Sequence, residues 1–331
     1  MICKNGLSLL LACVLLSLSA PLHAQKIHHY MFVNRDRQRL SDSLFLNTNA
    51  FDGAQVKFTW KELEPEKGQY DFSSVRRDLD FLASRGKKLF LQVQDVSFDT
   101  SIVNVPIYLI REKEFHGGMD YQYGSDSLGR LIPGGWVARR WDPAVQVRLH
   151  LLFDALGKAF DGQIEGVTLP ETSVEFGDDG RLFPSGFSFD RYRDAVIENM
   201  KALKGAFPKS VAMIYANFMP GERHHSYLQS IYREAKESGV GLGGPDLLPY
   251  EKGHMNNGYR FIKQCKKESV PSGIAVQEGN YRFINPETGV RVTVHDLIEF
   301  ADRYLGVEYI FWSTEEPFFA RDVIPVLTAG K

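Results

Sequence analysis

The chain has 331 residues, with 39 Lys and Arg against 41 Asp and Glu, a formal charge of −2. So even a balance, with no basic run, excludes a nucleic-acid partner, whose phosphates would demand a positive face. Aromatic residues make up 12%, with 23 Phe and 14 Tyr, enough to fill a large core and also to stack on sugar rings.

At the N-terminus Lys4 precedes an apolar run from Gly6 to Leu18, and Leu22-His23-Ala24 forms a small-residue site before Gln25. That pattern predicts a cleavable signal peptide over residues 1–24, hence a secreted or periplasmic protein with one domain over residues 25–331. A membrane span would need about 20 apolar residues, and Ser17, Ser19 and Pro21 interrupt this run, so no stable membrane insertion is expected. Leu10-Leu11-Ala12-Cys13 faintly resembles a lipobox, but the apolar run continues past Cys13. Removing the peptide takes away Cys3 and Cys13 and leaves Cys265, so neither an internal disulfide nor a thiolate metal cluster is expected. Stability must then come from the core, which a chain of about 300 residues can build.

Short apolar runs then alternate with amphipathic stretches. Strands are predicted at 29–33, 53–59, 88–94, 165–169, 211–217, 240–243, 273–277 and 308–312, rich in Val, Ile, Phe and Leu as strands buried on both faces should be. Helices between them have readable ends. Ser73 can cap one that Gly86 stops, and Asp142-Pro143 is a cap followed by proline at the first helical position, opening a helix through Phe160. Further helices are expected at 190–207, 227–238, 257–267 and 294–305. Eight strand-helix repeats without a linker predict an α/β fold, a single-domain (β/α)8 TIM barrel. A doubly wound sheet would want a Gly-rich turn after the first strand, which Val33-Asn34-Arg35-Asp36 is not. Residues 95–141 break the rhythm and read as an elaborated loop after strand three, at the catalytic face.

In such a barrel, catalytic residues sit where strands end. Those positions hold Trp60, Gln94, Asp95, Glu171, Asn217, Asp246, Glu278 and Trp312. Glycoside hydrolysis needs a carboxylic acid to protonate the leaving oxygen and a carboxylate to attack or to activate water, and Glu171 and Glu278, ending strands four and seven, could supply them. Glu175 is the rival for the first role; Glu315 and Glu316 are rivals for the second, reading rather as loop residues that grip substrate or a cation.

The segment Trp60-Lys61-Glu62-Leu63-Glu64-Pro65-Glu66-Lys67-Gly68-Gln69-Tyr70-Asp71-Phe72 resembles the Trp-x-x-Leu-Glu-Pro-x-x-Gly-x-Tyr-x-Phe segment that follows strand two in many clan A glycoside hydrolases, the barrels of β-galactosidases, cellulases, mannanases and xylanases. The resemblance implies a retaining hydrolase of a β-linked oligo- or polysaccharide, needing no cofactor, with Glu171 as acid/base and Glu278 as nucleophile. It implies that Trp312 is an aromatic platform; Trp60, Gln94 and Asn217 at the strand ends, with Lys57 and Tyr250, are the other candidate substrate contacts. Tyr250 would hydrogen-bond the nucleophile; the alternative role for Glu171 is a structural ion pair with Lys57 or a nearby Arg. The chain departs from the clan at Pro170, where Asn usually binds the sugar 2-hydroxyl; Asn217 or Gln94 would have to supply that contact. The same departure keeps open a non-catalytic carbohydrate-binding barrel.

As the acid, Glu171 should have a raised pKa, chiefly through the Glu278 charge. The four Trp, at 60, 136, 141 and 312, fall at predicted strand ends or in the long loop, which favours sugar stacking. No metal is expected, since His28-His29 and His224-His225 lack a His-Glu-x-x-His spacing. Asp178-Asp179-Gly180 reads as a turn rather than a calcium loop, and no Gly-x-Ser-x-Gly elbow is present.

Overall fold

The computed structural model describes residues 26–125, 130–177 and 180–329; the predicted signal peptide, and Asp178 and Asp179 of the predicted turn, lie outside them. Eight parallel strands close into a barrel in chain order, each beside its neighbours and the last beside the first. They are β1 (His28–Phe32), β2 (Gly53–Thr59), β3 (Lys88–Gln94), β4 (Gly166–Leu169), β5 (Val211–Tyr215), β6 (Gly241–Gly244), β7 (Ser272–Val276) and β8 (Tyr309–Ser313). Each matches a predicted strand to within two residues. Seven α-helices serve the argument: α1 (Ser43–Leu46), α2 (Ser73–Ala83), α3 (Pro143–Phe160), α4 (Phe189–Ala206), α5 (His224–Ser238), α6 (Gly258–Glu268) and α7 (Val294–Glu299), the last running on as a π-helical turn, Phe300–Leu305. The fold is the (β/α)8 barrel predicted from the alternation.

The caps explain the helix positions, with one difference. Asp142 accepts from the amides of Ala144 and Val145 and has proline after it, as read. At α2 it is Asp71, not Ser73, that receives a terminal amide, from Ser73 at 2.9 Å. Gly86 does stop α2, with φ at +66°, a left-handed value glycine adopts without steric cost.

Two cores follow from strand alternation. Outward-facing side chains pack under the helices in the larger one. Inside the barrel, Tyr30, Phe32, Phe90, Met213, Tyr215, Ala275, Tyr309 and Phe311 form a second, nearly dry cluster. Glycines on neighbouring strands make room for these rings: a Cβ at Gly166 would lie 2.4 Å from the Phe90 ring, and one at Gly273 2.9 Å from Phe311. Above the aromatic floor Gln55, fully buried, donates to the hydroxyls of Thr168 and Tyr215 at 3.2 and 2.9 Å. The barrel is therefore plugged below and polar above.

The long third loop has structure of its own. Val96–Ser97, Met119–Ser125 and Leu131–Ala138 form a three-stranded antiparallel sheet with the last strand in the middle, and Ile107–Arg111 is a short helix. The sheet docks on the loop after β4, where the Tyr123 amide donates to the Glu175 carbonyl at 2.9 Å.

The segment after β2 folds as a buckle. Thr59 caps the single turn Trp60–Leu63, and the fully buried Glu64 carboxylate accepts from the Trp60 indole at 2.9 Å, from the Gly68 amide at 2.9 Å and from Arg148 of α3. Its charge is thus paired and its lone pairs used, the condition under which a buried carboxylate is tolerated. Replacing Glu64 by Ala strands the Arg148 guanidinium and the indole N–H. The expected loss is about 3–5 kcal/mol of unfolding free energy, read from urea titration; a loss within the ordinary surface range of about 0.5 kcal/mol would contradict this role.

Candidate active site

Glu171 leaves the end of β4 beside a buried ion pair. Asp95, just past β3, holds Arg140 through two hydrogen bonds of 2.8 and 2.6 Å. Arg140 then donates to the Glu171 carbonyl and to the Tyr192 hydroxyl, both at 3.0 Å, and Tyr192 donates to the Thr172 carbonyl at 3.0 Å. The backbone carrying Glu171 is fixed before its side chain is considered. That side chain accepts from the Asn217 amide at 2.7 Å.

The pKa of Glu171 is raised. Burial is the largest cause; the Asn217 hydrogen bond opposes it, the Asp246 charge adds to it, and Arg140 and Lys57 oppose it. The direction is the expected one, but the carboxylate acting on Glu171 is Asp246, in place of the expected Glu278. Asp246 follows β6 and accepts from the Asn280 amide at 3.0 Å.

Glu278 is exposed on the turn after β7, and that turn is pinned at both ends. The buried Asn280 accepts from the amides of Gln277 at 2.9 Å and Leu247 at 3.1 Å, tying the β6 and β7 loops together. The Gly279 amide donates to Glu315 at 2.7 Å, and Glu315 pairs with Arg282. Gly279 has φ at +91°, left-handed, which favours glycine there. Glu315 and Glu316 are thus loop-holding residues, Glu316 reaching Arg39 at 3.3 Å. Glu175 is exposed on the loop beneath the three-stranded sheet.

Lys57 points from β2 into the mouth, its ammonium 5.0 Å from the centre of the Phe32 ring. Its pKa is lowered to about 8, by burial first and the Arg35 charge second, with Glu171 and Glu278 acting the other way. Lys57 therefore feels both predicted catalytic carboxylates, yet makes no ion pair with Glu171 within 4.0 Å among the described residues. The structural ion pair offered as its bland role is absent there.

Pro170 is buried and lines a small void with Leu169, Val196 and Ile214 beneath the helices. The amide beside Glu171 comes instead from Asn217, one strand over, whose Oδ1 is buried without a partner. Gln94 is buried with its amide nitrogen committed to the Val96 carbonyl at 2.8 Å, leaving its Oε1 unpartnered.

Three expected substrate contacts are corrected. Trp60 and Trp312 are 0% exposed, so neither presents a ring to a sugar. Trp60 belongs to the Glu64 buckle; Trp312 faces outward under the helices, its indole donating to His29 at 3.1 Å. Tyr250, with φ at +63°, packs on Phe300 and Tyr304 of the π-helical turn, ring centres 5.0 and 6.3 Å away, and lines a hollow with Glu299 and Arg303 rather than the mouth. Trp141 is also buried, edge-on to Phe176 and Phe187. Trp136 alone keeps a partly open ring, on the third-loop sheet against Tyr121.

Sequence reasoning missed Arg140, Tyr192 and Asn280, which position the carboxylates. The one available signal was Arg139-Arg140 directly before the Asp142-Pro143 cap, a charged pair where the third loop re-enters the barrel. Among the described residues no group of three or more His, Cys, Asp or Glu side chains is placed to hold a metal ion, and no helix is long and apolar enough to cross a membrane.

No protein-family model and no curated protein matches the sequence. Solved structures do match in shape. A xylanase 10B from Thermotoga petrophila, in complex with xylobiose, superposes with a TM-score of 0.51 at 13% identity, over 87% of this chain and 82% of that one. A GH10 endoxylanase from a sugarcane soil metagenome gives 0.52 at 12%, over 87% and 86%. Xylanase XynB from Paenibacillus barcinonensis gives 0.51 at 15%, over 86% and 84%. The chain shares their barrel fold. The resemblance to clan A glycoside hydrolases therefore holds at the level of architecture over most of the chain; at these identities the likeness is one of fold.

Proposed function

We propose that the chain is an exported glycoside hydrolase that cleaves a β-linked oligo- or polysaccharide with retention of configuration. The observation that carries this reading is Glu171: a carboxyl at the end of β4, fixed through its backbone, gripped by Asn217 and raised in pKa by burial. Those are the properties of a general acid that keeps its proton above the ordinary carboxylate range. Glu171 gives its proton to the leaving oxygen as the C1–O bond breaks, and Glu278 forms the new bond to C1. Glu171, now ionised, takes a proton from water, whose oxygen displaces Glu278 and restores the original configuration. Lys57 steadies the two carboxylates as their charges exchange, and the unpartnered Oδ1 of Asn217 accepts from the sugar 2-hydroxyl that Pro170 cannot bind.

The Glu171–Asp246 coupling favours a second reading, an inverting enzyme in which Asp246 activates water. Proton NMR of the sugar first released from a β-linked substrate separates the two. The β anomer is expected; initial release of the α anomer transfers the second role to Asp246 and refutes retention.

A further inference from the structure

A hollow of about 390 Å³ opens where the loops after β6 and β7 meet the π-helical turn Phe300–Leu305. Its aromatic lining is Tyr250, Phe300 and Tyr304. Phe300 and Tyr304 are stacked, with 4.8 Å between ring centres and 15° between planes, and Tyr250 crosses them at 69° and 57°. Phe300 is buried, whereas Tyr250 and Tyr304 are half-buried and show ring surface to the hollow. The Tyr250 hydroxyl has no hydrogen-bond partner among the described residues. The charges around the rings are matched in place. Glu299 pairs with Arg303 at 2.7 Å, Lys263 lies over the Tyr304 ring and donates to its hydroxyl at 3.3 Å, and Asp296 accepts from the Thr293 amide and hydroxyl. Two carboxylates thus stand against two cations, and no net charge selects an ion.

Tyr250 holds its place at φ +63°, a left-handed backbone that Cβ contacts disfavour for a bulky side chain. Disfavoured backbone of this kind persists where its surroundings fix it, and it is concentrated at ligand sites. The two loops also build the mouth. The β6 loop carries Asp246 and then Tyr250; the β7 loop carries Glu278 and then Asn285, which lines the hollow. We infer that the hollow is a second binding site for a neutral β-linked glycan, holding one part of a polymer whose other part lies in the mouth. The inference rests on the carbohydrate reading above but not on its catalytic step. A pyranose ring has an apolar C–H face, which packs on a Tyr ring, and a rim of hydroxyls, which bond to the Tyr250 hydroxyl and the Asn285 side-chain nitrogen.

The test is depletion binding to insoluble β-1,4-xylan, cellulose and β-1,4-mannan, with Glu171→Gln in every protein so that the polymer stays intact. That protein is expected to bind at least one of them, with no loss as salt is raised, since no ion pair is involved. Adding Tyr250→Gly, which removes the ring and takes the left-handed backbone freely, should weaken binding about five- to ten-fold. Tyr304→Leu, which removes the other open ring and leaves the β6 loop alone, should do the same, and Tyr250→Phe should keep most of the affinity. Circular dichroism melts confirm that each variant is folded. Binding to none of the polymers, or binding untouched by both Tyr250→Gly and Tyr304→Leu, overturns the inference. Hydrolysis of the same polymers by the chain with Glu171 intact is followed in parallel. Binding that depends on Tyr250 without any hydrolysis leaves the second site standing and removes the hydrolase reading. Hydrolysis with binding indifferent to Tyr250 and Tyr304 does the reverse.

Discussion

Replacing Glu278 by Ala is expected to abolish turnover of a β-linked substrate, and millimolar azide is expected to restore it. The variant leaves a gap on the face from which Glu278 would attack. Azide fits that gap, forms the C1–N bond while Glu171 protonates the leaving group, and releases an α-glycosyl azide, because a single displacement has replaced two. The loss should fall on kcat rather than KM, since the nucleophile acts in the transition state and contributes little to ground-state binding. Unimpaired activity in the variant would remove Glu278 from the mechanism. Rescue by Asp246→Ala under azide, with Glu278→Ala inert to it, would move the role to strand six.

Glu171→Gln should lower kcat by roughly 10²- to 10⁴-fold, the usual worth of a positioned general acid. The loss should be large for alkyl leaving groups and slight for 2,4-dinitrophenyl glycosides in the first step, where the departing oxygen needs no proton. The pH profile gives a second reading of the same residue. Glu171 must be protonated to act, so activity falls as pH rises through its pKa, and a raised pKa carries that alkaline limb upward. Asn217→Leu removes a hydrogen bond that favours the ionised form and should push the limb higher still. A limb that stays in place in Asn217→Leu and persists in Glu171→Gln would belong to another group.

Much of the architecture was legible because its signals are local. Strands buried on both faces read as short Val, Ile, Phe and Leu runs, and the Asp142-Pro143 cap fixes where α3 starts. The mouth was harder, because a side chain's direction there depends on parity within the strand. Tyr309 and Phe311 point into the barrel, so Trp312, one residue on, must point out. The inward glycines, such as Gly273 against the Phe311 ring, carry the parity in the sequence, but only once the ring that covers them is known. Tyr250 escaped for another reason: its left-handed backbone turns the ring aside, and nothing in Leu248-Pro249-Tyr250 announces that. Arg140 and Asn280 act through backbone carbonyls and amides of distant loops, contacts that spacing along the chain does not encode.

The Trp60-Glu64-Gly68 buckle bears on how such chains are recognised. Its residues grip one another and Arg148, and the buried Trp60 ring has no face open to a sugar. Mutation can therefore erode a catalytic carboxylate while the signature stays intact, because folding alone maintains it. A descendant of this barrel that had turned to transport or sensing would still display Trp60 and Glu64, and would be told apart from an enzyme only at strands four and seven.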